Sequence, residues 1–518
     1  MPSSNFKVPS IGSQHDKKYF QLWRRFYEPL VILRILGNTR GEHSPRPLQQ
    51  TSVHRFLDNL AYLCDYLKGG LTTSAVGLED APERFNFWIA SNDPQKGEKS
   101  AIFLASILRD IRIIADSPAG AKPSLQEKLI HRSIDFAKQR VKKEAKLLMN
   151  DISKCMRFST DPEDIELSEW LEMFRDKEHI ELCYTAYQER DSSMMRRLSS
   201  HPQPHGNVSV AIKDTVHHLG RLAHHIRAPQ QIIEDVSNHP ELRNVLDEFE
   251  VHSLLPLPII DRPCAEPDIH MYSIMNRMIP CGEFDARYKE AADIMNQRFE
   301  IVPRFKKMYD DKNFKPLMHA EIQVLEHFWG KRKRFFNDDR YIGCSKPACY
   351  CCDLYMQNHP SRCVIPQTSR KVYVNWGLKV LSQGSQDAEY MHQRDMLNKM
   401  AKSIRNDALD QILRKTSAAA WHPDSQTGFT LRAPSVRDEA HYSSGQVLST
   451  ETVRMVDLAD MATDSDESQP GNVGCSSSGS RHSSLASTSD DNTRGLRNLS
   501  WTDDEDLSED TSDGGARL

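Results

Sequence analysis

His319 and Glu321 stand two residues apart, and Cys349 and Cys352 follow, separated from each other by three positions. Imidazole nitrogen and thiolate sulfur are ligands zinc prefers in tetrahedral geometry, and a catalytic zinc site keeps its fourth position for water. Two cysteines at i and i+3 on one helical turn share a face, so both reach one ion. The partial positive charge of a helix N-terminus helps keep such thiols ionised. A carboxylate two residues past the histidine need not bind the metal; it can stand beside the bound water and carry its proton. The spacing therefore predicts a Zn2+ site with His319, Cys349 and Cys352 as metal ligands and Glu321 as the catalytic acid–base.

His-x-Glu alone says little, because it recurs at His179/Glu181 and His239/Glu241. The third copy differs in having a Cys-x-x-Cys pair downstream in a helix–strand–helix context. Residues 318–329 read as a helix, 340–343 as a strand, 348–357 as a helix and 371–376 as a strand, so the ligands open both helices. Cys344 and Cys351 add two thiols nearby, and a fourth protein ligand from either would turn a catalytic site into a closed structural one. Lys331 and Arg332, in a basic run after the first helix, could meet substrate phosphates, although cations at a helix end also suit its dipole. Trp376, at a strand end, is the preferred aromatic to stack on a base, against core packing as the plainer role. The histidines at 217, 218, 224 and 225 fall in pairs seven residues apart, about 10 Å along a helix and too far for one ion. They read as surface or packing residues.

The segments HAEIQVLEHF, YIGCSKPACYCCDLY and KVYVNWGL together resemble a largely fungal clade of predicted nucleic-acid or nucleotide deaminases in the cytidine deaminase-like superfamily. The upstream VHHLGRLAHHIRAPQQIIEDV resembles the helical lead-in of such proteins, so the likeness spans roughly residues 208–415. It implies a central sheet flanked by helices, and hydrolytic deamination of cytosine or adenine with Glu321 as proton shuttle. Pro347 stands two residues before Cys349 rather than next to it, and Ser369-Arg370 stands where relatives often carry Ser-His.

The elements that must hold this site belong to a chain of 518 residues, long enough for two or three domains. Residues 1–240 read as an all-α domain with helical periodicity at 17–70, 101–115, 124–149 (Ser124 as N-cap), 165–198 and 208–238. Residues 241–416 read as a three-layer α/β/α, cytidine deaminase-like domain, giving an α+β chain overall. Residues 417–518 read as a mostly disordered acidic tail, rich in Ser and Asp. Net charge is −5, and residues 461–518 alone hold 12 acidic and 4 basic side chains, so the body is nearly neutral. No apolar run approaches the roughly 18 residues that span a bilayer. The 11 cysteines, scattered apart from the cluster at 344–352, suit a reducing compartment rather than a disulfide framework. An intracellular protein, cytoplasmic or nuclear, is expected, with no membrane partner. A nucleotide or single-stranded nucleic acid is the expected substrate, and the helical domain or acidic tail offers surface for a protein partner. The rival from another class is a catalytically inactive deaminase fold that serves as a zinc-stabilised interaction module.

Overall fold

A computed structural model describes residues 14–40, 50–156, 162–200, 207–254, 269–279, 284–311 and 315–416. The expected acidic tail and the Pro-containing break at 201–206 lie outside these described residues. The chain opens with helices α1 (Gln14–Leu36) and α2 (Ser52–Cys64), the latter capped by Thr51, whose hydroxyl accepts from the His54 amide. Strands β1 (Ser74–Asp80) and β2 (Phe85–Ser91) then pair antiparallel as a hairpin. Asp93 caps the next helix, α3 (Pro94–Asp116), with Pro94 in its first turn. A run of helices follows: α4 (Lys122–Phe136), α5 (Lys138–Met156), α6 (Pro162–Glu172), α7 (His179–Glu189), α8 (Ser193–Ser200), α9 (Asn207–Asn238) and α10 (Pro240–Val245). Strand β3 (Phe249–Ser253) precedes α11 (Met271–Met278), α12 (Ala286–Phe299), α13 (Ile301–Asp310) and α14 (Ala320–Gly330). The two-residue strand β4 (Gly343–Cys344), α15 (Tyr350–Asn358) and α16 (Tyr390–Leu413) complete the order.

The sheet runs β3-β2-β1-β4, with β2 and β3 parallel and the other neighbours antiparallel. Side chains alternate between its faces, as the period of a strand requires. Val76, Leu78, Phe87 and Ile89 join a core with α2, α3 and the second half of α9. Ala75, Trp88 and Ala90 face a different core, built from α1, α14, α15 and α16. A small sheet between two helical layers is the architecture expected from the sequence, within a mixed α+β chain. A third core unites α4 to α8 with the first half of α9. The 32-residue α9 thus belongs to the helical bundle at one end and to the sheet layer at the other.

Several expectations need correction. The first 240 residues are not purely helical, because β1 and β2 lie there and form the middle of the sheet. The helix expected over 124–149 divides at Ala137, and Ser124 sits inside α4 rather than capping it. Phe136 explains the division: its ring stacks on Phe103 at 3.7 Å and ties the end of α4 to α3, while α5 packs into the bundle. The strand expected at 371–376 forms no ladder: it makes isolated bridges, Thr39 to Lys371 and Leu317 to Trp376, with a turn at 374–375 between them. Its partners come from two separate parts of the chain, so no ladder propagates. The strand expected at 340–343 contributes only its last residue to β4.

Gly343 marks the tightest approach. A Cβ there would lie 2.3 Å from the Leu57 carbonyl carbon, a backbone atom of α2 that cannot step aside cheaply. Beyond it, the Cys344 amide donates to Asp58 Oδ1 at 2.9 Å. Gly343→Ala is expected to lower unfolding free energy by about 3 kcal/mol, an overpacking cost at the upper end of the usual range. A shift in urea midpoint checks it.

Candidate metal centre

Asn92, just past β2, sets the start of α14: its Oδ1 accepts from the Ala320 amide at 2.8 Å, and its Nδ2 donates to the Gly70 carbonyl. Gln323, one turn into the helix, donates to the carbonyls of Ser91 and Met318 at 3.1 and 2.6 Å. These bonds fix His319 at the N-cap of α14 in extended backbone geometry, where its side chain makes no capping bond. The imidazole is therefore available to α15.

Cys349 is the N-cap of α15, and its sulfur accepts from the Cys352 amide at 3.4 Å. The segment 367–371 holds this helix start. The Ala348 amide donates to the Gln367 carbonyl, the Ser369 amide to the Ala348 carbonyl, and the Tyr350 amide to the Lys371 carbonyl, at 2.8, 2.7 and 3.0 Å. Nδ1 of His319 lies 3.5 Å from Cys349 Sγ and 3.4 Å from Cys352 Sγ. Among the described residues these three form one group whose ligand atoms all lie within 4.8 Å of one another. Neither Cys344 nor Cys351 joins it. The set is three protein donors of the type zinc favours, which leaves a tetrahedral ion one position for water.

Electrostatics favour a cation here. Burial alone would raise the Cys349 thiol, but hydrogen bonding from Cys352 and the neighbouring His319 bring it down to about 6. Burial, reinforced by the Cys349 anion and Glu321, pushes Cys352 well up. Burial would lower His319, yet the Cys349 thiolate and Glu321 outweigh it and raise its basicity. The centre thus holds protons that a bound divalent ion would displace. Glu321 is 6% exposed and lies outside the ligand group, while its charge acts on His319, Cys349, Cys352 and Cys344 alike.

Trp376 requires correction. It is 0% exposed, with its ring against Phe26 and Tyr355, so neither face is open to a base. Its Nε1 instead donates to Cys352 Sγ at 3.2 Å, and Tyr27 hydroxyl donates to its carbonyl at 2.8 Å. Trp376 orients a ligand sulfur. Removing such an outer contact commonly costs 10–100-fold in metal affinity. Trp376→Phe is accordingly expected to weaken zinc about tenfold or more in a chelator competition. Unchanged affinity would remove that role.

The half-buried aromatic nearest the ligands is Tyr373, edge-on to His319 at 6.1 Å between ring centroids. Lys331 and Arg332 are exposed at the opposite end of α14, with Lys331 roughly 18 Å from His319 along the axis, so they do not belong to the metal centre. Their neighbours Lys333 and Arg334 pair with Glu79 and Asp80 of β1. The histidines of α9 are packing residues: His218 meets Asp151 at 2.9 Å and His225 meets Glu144 at 3.3 Å.

A cleft has the loop 344–347, which leads into α15, as one wall and α9 as another; His319, Glu321, Cys349 and Cys352 are not among its lining residues. Of the cations in its lining, Arg140, Arg221 and Lys346 pair with the buried carboxylates Glu144 and Asp65. Cys344 links the two places: it lines the cleft, and Glu321 helps push its thiol up after burial has done most. Sequence reasoning missed Asn92, Gln323 and this cleft. Nothing in spacing connects residue 92 with 319, because only the packing of β2 against α14 brings them together.

Residues 318–379 match the family model described as OTT_1508_deam:-like deaminase. No curated protein matches the chain, and no solved structure does. The segment that carries His319, Glu321, Cys349, Cys352 and Trp376 is thus similar to a deaminase family.

Proposed function

We propose that this chain is a zinc-dependent hydrolytic deaminase acting on a nucleobase, cytosine or adenine, in a nucleotide or a single-stranded nucleic acid. The observation that carries the reading is a three-donor centre, His319, Cys349 and Cys352, with a buried carboxylate, Glu321, beside it but outside the ligand group. A site built only for structure has no need of that carboxylate. The match to a deaminase model over the same residues supports it. So does the likeness of its motifs to the cytidine deaminase-like superfamily.

His319, Cys349 and Cys352 would hold the ion, which supplies Lewis-acid activation of water when bound. Glu321 takes one proton from the attacking water and passes it to the ring nitrogen, then takes the second from the hydroxyl so formed on the ring carbon and passes it to the departing amine, so that amidine and water become carbonyl and ammonia. Trp376 and Asn92 keep the ligands aligned. Tyr373 is the aromatic placed to meet the base.

Ammonia release from cytidine and adenosine nucleotides, and from single-stranded oligonucleotides containing either base, tests the reading. Release by the wild type on at least one of these, lost in Glu321→Gln, is expected. Bound zinc with no Glu321-dependent release on any of them would favour a zinc-stabilised interaction module instead. No described helix is long and apolar enough to cross a membrane.

A further inference from the structure

The helices that open at the metal centre carry a second convergence of ligand groups further along. Glu326 lies within α14, His359 is the C-cap of α15, and His392 is in the first turn of α16. Glu326 Oε1 is 2.9 Å from His359 Nε2 and 3.7 Å from His392 Nε2, and the ligand atoms of all three lie within 4.8 Å of one another. Seven residues of helix separate His359 from Cys352, about 10 Å of rise, so this is a separate place from the first centre.

Both Nε2 atoms are sealed from solvent and neither makes a hydrogen bond. The His359 side chain is fully buried. Leaving a buried polar atom unsatisfied is costly, so such an atom calls for a partner. For His359 the carboxylate is close enough at 2.9 Å, and direction is what fails: the ring's Nε2 axis misses the oxygen. A shared cation accounts for that geometry. Bonds of roughly 2.1 Å to one ion hold two donor atoms about 3.0–3.4 Å apart, with the ion rather than the other donor on the ring axis. The 2.9 Å separation fits, and the 3.7 Å one needs only a small inward movement of His392, whose side chain is 30% exposed and offers an ion a way in.

Outer contacts agree. Tyr355 hydroxyl donates to Glu326 Oε1 at 2.8 Å. The Ser361 amide donates to His359 Nδ1 at 3.2 Å, and Ser361 Oγ lies 2.7 Å from the same nitrogen.

We propose that Glu326, His359 and His392 form a second metal site, for a divalent first-row transition ion such as zinc, that clamps α14, α15 and α16 together. Two imidazoles and one carboxylate are a donor set such ions accept. The clamp would reach the first centre through packing: the Tyr355 ring lies against Trp376, which donates to Cys352.

Metal content of the full chain after equilibration with Zn2+ and dialysis tests this, together with Co2+ absorption spectra. Wild type is expected to hold about two ions, and His392→Gln and Glu326→Gln about one each. The double variant Cys349→Ser/Cys352→Ser should also hold about one, and its Co2+ form should show d–d bands without thiolate charge transfer. One ion in wild type that survives His392→Gln but not the cysteine variant would overturn the second site. One ion that shows the opposite pattern would sustain it while the first centre fails. Should the cysteine variant not fold, the wild-type and His392→Gln Co2+ spectra decide: the difference must be a non-thiolate component, and identical spectra overturn the proposal.

Discussion

Glu321→Gln should keep the metal and lose the reaction. Glu321 is outside the ligand group, so its amide replacement leaves His319, Cys349 and Cys352 in place. It also removes a negative charge that holds the thiols of Cys352 and Cys344 up. Ionisation of the ligand sulfur therefore becomes easier, and zinc affinity should be equal or tighter. What disappears is the group that accepts and returns the proton. Positioned acid–base groups contribute about 10²–10⁴-fold, so kcat for ammonia release should fall by that factor with zinc content unchanged. Activity within a few-fold of wild type would remove Glu321 from the mechanism. Loss of zinc along with activity would make it a structural carboxylate.

Arg140→Met should cost about 3–5 kcal/mol of stability, the range for breaking a buried ion pair from one side. Arg140 is 1% exposed, with Nε 3.2 Å from Glu144 Oε1 and Nη1 3.5 Å from Asp65 Oδ2. Both carboxylates are fully buried. Burial pushes Glu144 up, but Arg140, His225 and Arg221 overcome it and hold it well below its ordinary value of 4.5. Burial also opposes ionised Asp65, and Lys346 with Arg140 still brings it down. Methionine keeps most of the arginine stem and removes the charge, together with the bond from Nη1 to the Asp65 carbonyl and the guanidinium's contact with the Tyr62 ring.

The pH dependence has a definite sign. A carboxylate whose folded pKa is depressed contributes stability above its unfolded pKa, and that contribution fades as pH falls through the folded value. In Arg140→Met, Glu144 loses its main compensating charge and Asp65 keeps Lys346 but loses the second of its two, so both pKa values rise. The deficit should then be largest near neutrality and shrink as pH drops below about 4.5. Urea unfolding of both proteins at pH 7 and pH 4 checks it; an equal deficit at both would mean that packing, not charge, is lost. Lys346, which pairs with Asp65 at 3.2 Å, leads into the cysteine helix, so the same substitution should loosen the loop beside the metal centre.

The sequence was most informative where chemistry is local. Helix α14 begins one residue after His319 and α15 one residue after Cys349, so both ligands cap the helices their spacing predicts. Strands were hardest to read. SAVGLED and FNFWIAS are short and buried on both faces over much of their length, so alternation between polar and apolar residues is weak. Trp376 was misplaced for a related reason: an aromatic at the end of an extended segment reads alike whether it faces a ligand or the core.

By itself the sequence determined the candidate donors and the helix starts that carry them, because each helix start depends on residues within a turn or two of one another. Only the tertiary structure decided which of four neighbouring thiols reach His319, that Trp376 supports a sulfur instead of stacking on a base, and that α9 lines a cleft. It also decided that Glu326, His359 and His392 meet. Those contacts join residues tens to hundreds of positions apart, and they exist because apolar faces of α14, α15 and α16 must share one core. Burial sets these distances, and no local pattern records them.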